Sequence, residues 1–337
     1  MRLLVTGAAG FIGSNFVRYW VSERPDDHVV AYDALTYAGN EANLADLRDR
    51  IVFVRGDIGE IGHVEKVLER EDIDTIVNFA AESHNSYAIV NPGVFFRTNV
   101  MGTQGLLEAA RRTEVPRFHH ISTCEVYGDL DLDSDEVFTE ESPYRPKTPY
   151  NAAKAGADHA VRAYHETYGL RTTITNCANN YGPYQFPEKV LPLFITNALD
   201  DKPLPMYAST QNRREWIHVI DHCRGIMRVI LDGRIGETYC IGTGVERSIE
   251  QIADAVLDAL GKPHSLKKIV PDRPSHDRRY VLDWTKIKTE LGWEPEVDFD
   301  EGVRDTVRWY ADHRSWWEPL KGRAPVVEDE AWSAGSR

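Results

Sequence analysis

Cysteine, clustered positive charge and long apolar runs are all scarce in this 337-residue chain. Only four cysteines occur (Cys124, Cys177, Cys223 and Cys240), and they are too scattered for a metal-ligand set. That usage excludes a disulfide scaffold and suits reduced thiols in the cytoplasm. None of the 12 histidines falls in an HExxH pattern, so no metal site is expected. Acidic residues outnumber basic ones 53 to 39, giving a formal net charge of -14. Such a chain repels nucleic acid, and no basic stretch is interleaved with aromatics. No apolar run nears the roughly 20 residues that span a membrane. The opening MRLLVTG reads as a strand running into a glycine turn, so neither a secretory nor a transit segment is expected.

What is present is an ordinary globular composition, 42% hydrophobic and 27% charged, long enough for one large or two smaller domains. Residues 2–6 read as a buried strand. Gly7, Gly10 and Gly13 follow, then an apolar-periodic helix over 14–21. Strand, glycine turn and helix in that order form a dinucleotide site: the glycines admit the pyrophosphate and the helix N-terminus faces it. Phe11 and Ile12 sit within the same turn. The next strand, 28–32, ends at Asp33, twenty residues after Gly13, where an acid binds the adenosine ribose. A carboxylate there repels a 2′-phosphate, which favours NAD over NADP.

Further strands are expected at 51–54, 75–79, 117–121 and 172–176, alternating with helices near 61, over 97–113 and over 150–168. This is the pattern of a doubly wound parallel sheet. Asp57, beside Ile58, either accepts from the adenine amino group or caps the following helix. Ala80 and Ala81 let backbone pass close to a cofactor.

Tyr150 and Lys154 lie four apart in the helical run, hence on one face. A cation beside a phenol lowers the phenol's pKa and suits it to proton exchange. Ser122 and Thr123 end the preceding strand, where their hydroxyls reach the same substrate oxygen. Beyond Cys177 prolines and short elements increase. Residues 179–183 read as a turn, and 249–260 and 301–313 as amphipathic helices. Arginines concentrate at 213–216 and 276–280, which in an acidic protein suits a phosphate-bearing substrate.

The glycine turn, Asp33, AAESH, STCEVYG, YxxxK, NNYGPYQFPEK, REW and HDRRY occur in the order found in extended short-chain dehydrogenase/reductases. Over residues 1–320 the chain resembles the dTDP-glucose 4,6-dehydratase group. The resemblance implies a Rossmann core over 1–176 with later returning segments, a smaller nucleotide-sugar domain mainly over 177–321, and a polar tail over 322–337. It implies NAD as cofactor and a dTDP- or UDP-hexose as substrate. It assigns Tyr150, Thr123 and Lys154 to the O4 proton and Glu125 to the C5 proton. It places Ser83, His84, Asn99, Asn179, Glu188, Lys189, Tyr207, Arg214 and Arg279 around the sugar nucleotide. It also implies a homodimer formed through 97–113 and 149–168.

Two departures stand beside the reacting carbons. Cys124 occupies the position of the family's catalytic Asp, and Asn85-Ser86-Tyr87-Ala88 replaces its VDRS. A thiol is a much weaker acid than a carboxyl group. Three outcomes follow: 4,6-dehydration with Cys124 as a tolerated or altered acid, 5,6-dehydration leaving an exocyclic alkene, or other 4-keto chemistry such as epimerisation or decarboxylation. A catalytically inactive NAD- or sugar-nucleotide-binding regulator is the alternative of another class. The intact Thr123, Glu125, Tyr150 and Lys154 argue against it.

Overall fold

The computed structural model describes residues 1–272 and 277–323. His276 of the second arginine cluster and residues 324–337 of the tail lie outside the described residues. The first half alternates as expected: β1 (Arg2–Thr6), α1 (Phe11–Glu23), β2 (His28–Asp33), β3 (Val52–Arg55), α2 (Ile61–Arg70), β4 (Thr75–Asn78). Then come α3 (Asn85–Val90), α4 (Pro92–Phe95), α5 (Thr103–Arg112), β5 (Arg117–Thr123), α6 (Pro149–Tyr168) and β6 (Thr172–Cys177). The second half adds β7 (Asn179–Tyr181), α7 (Val190–Leu199), β8 (Leu204–Tyr207), β9 (Arg213–His218), α8 (Val219–Asp232) and β10 (Thr238–Ile241). It ends with β11 (Glu246–Ser248), α9 (Ile249–Leu260), β12 (Lys267–Val270), α10 (Thr285–Leu291) and α11 (Phe299–Asp312).

Seven parallel strands form the main sheet in the order β10-β6-β5-β4-β1-β2-β3. Alternate residues of one strand enter different cores. Leu3, Val5, Val29 and Ala31 pack with Phe16, Trp20, Ile226 and Ile230 of α1 and α8. Leu4, Val30, Ile76 and Phe118 pack with Val64, Val67, Leu106 and Val161 of α2, α5 and α6. Both faces are therefore covered, which is why these strands read as unbroken apolar runs. Each such side chain contributes roughly 1.5–3 kcal/mol on burial. A third core joins α7, α9 and α11 through Leu191, Phe194, Val256, Phe299 and Val303. Two small sheets accompany it, β11-β9-β7 and β12-β8.

Helix ends follow local chemistry. The Thr148 hydroxyl accepts from Asn151 N at 3.2 Å, Pro149 opens α6, and Gly169 closes it at φ 70°. Two expectations change. Residues 179–183 are not simply a turn: Asn179–Tyr181 pairs in parallel with β9 before the chain turns at Gly182. The helix expected over 97–113 is split, because Phe96–Gly102 is a π-helix and only Thr103–Arg112 is α-helical. The widened turn lets buried Asn99 reach the backbone of Glu82, to which both ends of its amide bond at 2.8 and 3.0 Å.

Candidate active site

From β1 the sheet grows outward to β2 and β3, then resumes at β4 on the other side of β1. The C-terminal ends of β1 and β4 part there, at a topological switch point. A cavity of about 750 Å³ opens at this place. Its walls come from the glycine turn, the strand ends and the second half of the chain.

Gly7 has φ +64, and a Cβ on it would fall 2.7 Å from Ala80 N. A Cβ on Gly13 would fall 2.2 Å from Gly7 O. Neither position admits a side chain, so the turn stays flat against the sheet. Gly10 begins α1 without a side-chain cap, and Gly7, Gly10, Phe11, Ile12 and Gly13 all line the cavity. An uncapped helix start facing a cavity suits an anion. Asp33 lines it too, with Oδ2 accepting from Ala9 N at 2.9 Å and Oδ1 from Leu35 N at 2.7 Å. Burial raises its pKa while those two amides oppose the rise. Asp57 and Ile58 line the cavity, and Asp57 Oδ1 accepts from Gly59 N at 2.8 Å, so its carboxylate serves the turn before α2. Ala80 and Ala81 form the floor. The glycine cradle, the open helix start and the acid at the end of β2 together fit a dinucleotide.

The proton-handling residues share the same cavity. Thr123, Glu125, Tyr150 and Lys154 all line it. Lys154 is buried and donates to Ile121 O at 2.7 Å. Burial lowers its pKa, and the Asp158 carboxylate pulls it back up. Tyr150 departs from expectation. Burial, then the charge of Glu125, pushes its phenol well above the usual value, and only the hydrogen bond from Thr123 pulls it down. The protein alone therefore keeps the phenol protonated. Ser122 is turned elsewhere as well: its hydroxyl donates to Asp158 Oδ2 at 2.8 Å rather than to a substrate oxygen.

Three expected site residues stand behind the wall. Cys124 is fully buried in the core beside the sheet and is not among the cavity-lining residues. Burial, then neighbouring Glu125, raises its thiol pKa well above the ordinary value. Asn99 is likewise absent from the wall, since its amide is spent on Glu82. Arg279 does not line the cavity either: Glu246 accepts from its Nε and Nη2 at 2.6 and 2.8 Å, and its Nη1 donates to Ser134 O and Glu136 O.

Ser83, His84, Asn179, Glu188, Lys189, Tyr207 and Arg214 do line the cavity. Lys189 Nζ donates to Ser83 O at 2.8 Å, and His84 Nε2 lies 3.5 Å from Glu188. Tyr37 donates to Glu188 at 2.9 Å, and burial raises the pKa of that carboxyl. Arg214 lies 4.8 Å over the Tyr280 ring and donates to Asp277 O at 2.5 Å. Asn179 Oδ1 accepts from Tyr280 at 2.7 Å. Sequence reasoning overlooked Asp158, although it follows Lys154 by four on the same helical face. It also missed the contact of Asn85 with Glu125, which no spacing signals.

The family model described as GDP-mannose 4,6 dehydratase matches residues 4–306. The chain belongs to this family, the NAD-dependent nucleotide-sugar dehydratases of the extended short-chain dehydrogenase/reductase type. It is 50% identical over 327 residues to dTDP-glucose 4,6-dehydratase of Streptomyces niveus, covering 95% of this chain and 96% of that one. It is also 50% identical over 322 residues to the enzyme of that name in Mycobacterium tuberculosis H37Rv, covering 95% and 96%. The structure of the Streptomyces venezuelae dTDP-glucose 4,6-dehydratase DesIV, which has NAD bound, superposes with a TM-score of 0.92 at 51% identity, covering 95% and 100%.

Proposed function

We propose that this chain dehydrates a nucleotide diphosphate hexose, dTDP- or UDP-linked, through a 4-keto intermediate, in the manner of dTDP-glucose 4,6-dehydratase. The observation that carries the reading is the convergence of Thr123, Tyr150, Lys154 and Glu125 on the cavity that also exposes the glycine turn and Asp33. A pure binder has no need of such a set, which weighs against the regulator. NAD, held by the glycine turn, Asp33 and the Ala80–Ala81 floor, supplies the hydride acceptor and donor when bound. Tyr150 first gives its own proton to solvent, favoured by the Lys154 charge and by the positive charge that a bound nicotinamide would bring, and the phenolate Oη, oriented by Thr123, then receives the O4 proton. The 4-ketone acidifies C5, and Glu125 takes that proton as the C–H electron pair moves into the ketone. With Cys124 off the wall, Glu125 is placed to hand the same proton to O6 as the C6–O6 bond breaks and water leaves.

The proton inventory supports a second reading. In 4,6-dehydration, C5 needs another proton and the O4 proton must leave Tyr150, so both groups exchange with solvent each turnover. In 5,6-dehydration, Tyr150 returns its proton to O4 and the exocyclic alkene remains. Two groups, Tyr150 and Glu125, then suffice without a third acid. The position of Cys124 favours this course, and the relatives at 50% identity favour the first.

The test is incubation of the purified protein with dTDP- and UDP-sugars, followed by mass and NMR analysis. Loss of water with a new C6 methyl supports the first reading, and an exocyclic alkene supports the second. No loss of water from any sugar nucleotide would remove both.

The proposal extends to assembly and place. Phe96, Met101 and Tyr168 are 43%, 61% and 56% exposed on the π-helix and α6, an apolar face suited to a second copy in a homodimer. Among the described residues no helix is long and apolar enough to cross a membrane. Scattered free cysteines support a cytoplasmic location. The division into a cofactor domain over 1–176 and a sugar-nucleotide domain over 177–321 is supported by the separate third core, with β10 returning to the main sheet.

A further inference from the structure

Asn85 begins α3 on the cavity wall, opposite the turn that carries Glu125. Its Nδ2 donates to Glu125 Oε2 at 3.0 Å. Its Oδ1 accepts from the Thr148 hydroxyl at 3.2 Å. That hydroxyl already accepts from Asn151 N, so its own proton is free to go to Asn85. The amide is thus oriented from one side by Thr148 and presents N–H to the other. Among the described residues Asn85 is the one side chain that hydrogen-bonds this carboxylate.

We propose that Asn85 is a positioning residue for the C5 base: it fixes Oε2 of Glu125, leaves Oε1 to meet the C5 proton, and ties that carboxylate to the start of the helix carrying Tyr150. The inference rests on the 4-keto reading above. In the step concerned, the C5–H bond breaks, its proton goes to Oε1, and its electron pair enters the C4 ketone as an enolate. Thr148 caps α6 and bonds Asn85 at once, so the O4 and C5 proton acceptors are mechanically linked across the cavity. The other groups facing Glu125 are Cys124 of its own turn, Tyr150 of α6, Cys177 at the end of β6, and Tyr280. Burial raises the pKa of all four, so each stays neutral. A donor that orients without carrying charge suits a base that must release its proton again.

The experiment uses the full chain with its bound NAD, dTDP-glucose as probe and D₂O as solvent. It follows deuterium entry at C5 and, separately, the NADH absorbance that reports C4 oxidation. In Asn85→Asp the donor is lost and a second carboxyl group enters. C5 exchange is expected to fall about tenfold to a hundredfold and the acid limb of its pH profile to move upward by roughly one unit. Asn85→Val is expected to slow exchange without moving the limb upward. In both variants C4 oxidation stays within about threefold, so NADH accumulates. Equal losses in both steps with an unmoved pH profile would make Asn85 merely structural and overturn the proposal, as would unchanged exchange in both variants. Glu125→Gln is the control: if it keeps C5 exchange, the reading beneath the proposal fails instead.

Discussion

Lys154 and Asp158 share the buried face of α6 one turn apart, and His120 contacts both. Its Nε2 lies 3.3 Å from Lys154 Nζ and 3.4 Å from Asp158 Oδ1. Asn78 accepts from Thr6 through Oδ1 and donates to His120 Nδ1 through Nδ2, at 2.7 and 3.2 Å. His120 Nε2 is thus within reach of both the Lys154 ammonium and the Asp158 carboxylate. Burial lowers the pKa of His120 to about 4, so the ring is neutral near pH 7. The charge that balances Lys154 is then Asp158, whose carboxyl stays ionised through its bonds to His120 and Ser122 against the cost of burial.

Asp158→Asn is expected to leave the Lys154 ammonium uncompensated and to shift the basic limb of the pH–rate profile downward. It should also cost roughly 3–5 kcal/mol of stability, the usual effect of breaking a buried pair. Rates of C4 oxidation from pH 6 to 10, with thermal melting alongside, check both. An unmoved basic limb would remove Asp158 from catalysis.

Arg279 and Arg214 should separate cleanly. Arg279→Ala breaks the largely buried pair with Glu246, so melting temperature should fall while KM for the sugar nucleotide changes less than about threefold. Arg214→Ala removes a cavity-lining guanidinium, and KM should rise about tenfold or more. A large KM effect for Arg279→Ala would return that residue to the substrate site.

Cys124→Ser tests whether the thiol moves protons. The thiol is buried, does not line the cavity, and is raised well above its ordinary pKa by burial and by Glu125. Turnover of the variant is expected within about threefold of the parent. A loss of a hundredfold, the lower end for a general acid, would identify Cys124 as the acid.

Acid should destabilise the fold. Burial depresses His119 well below its usual value, His120 to about 4 and His222 to about 3. Between pH 6.5 and 4.5 the unfolded chain binds protons at these three sites while the folded chain does not, so stability falls as pH falls. Glu215 has the opposite sign. Its folded pKa of about 7 means the folded chain holds the extra proton there, and its contribution is lost as pH rises toward 7. His218 acts with these histidines, while Asp33, Glu82 and Glu188, raised by burial, act with Glu215 at the lower end of the range, so the net loss on acidification is about 2 kcal/mol per pH unit, steepest between pH 7 and 6. Denaturant melts at pH 7, 6 and 5 measure the slope, and rising stability toward pH 5 would refute the sign.

Met101→Glu is expected to leave the fold intact and produce monomers. It places charge on a residue 61% exposed in the single chain, at the face suited to a second copy. Light scattering that finds a monomer already in the parent protein would remove the homodimer.

The Rossmann half was legible because its signals are local and repeated. Buried strands read as apolar runs, Gly7 and Gly13 mark where no Cβ fits, and Asp33 falls at the expected distance. What escaped depends on contacts distant in sequence. Asn179–Tyr181 carries turn-forming residues yet pairs with a strand more than thirty residues away. Arg279 was placed at the substrate by the resemblance, and nothing in the sequence signals its pairing with Glu246, 33 residues away. Tyr150 and Lys154 were found by spacing, whereas the phenol's pKa depends on burial that a sequence does not display.

The π-helix at Phe96–Gly102 carries one residue more than its hydrogen-bond ladder would need as an ordinary helix. In that widened frame Asn99 faces Glu82. Deleting a single residue there would restore α-helical pairing and rotate the preceding side chains by about 100°. The amide that holds the Glu82 backbone would swing off it, and the neighbouring floor would lose its anchor. Heredity at this place therefore acts on length as well as identity. A one-codon loss that an exposed helix elsewhere would absorb would here unfasten the floor of the active site, while every residue assigned to chemistry remained in the chain.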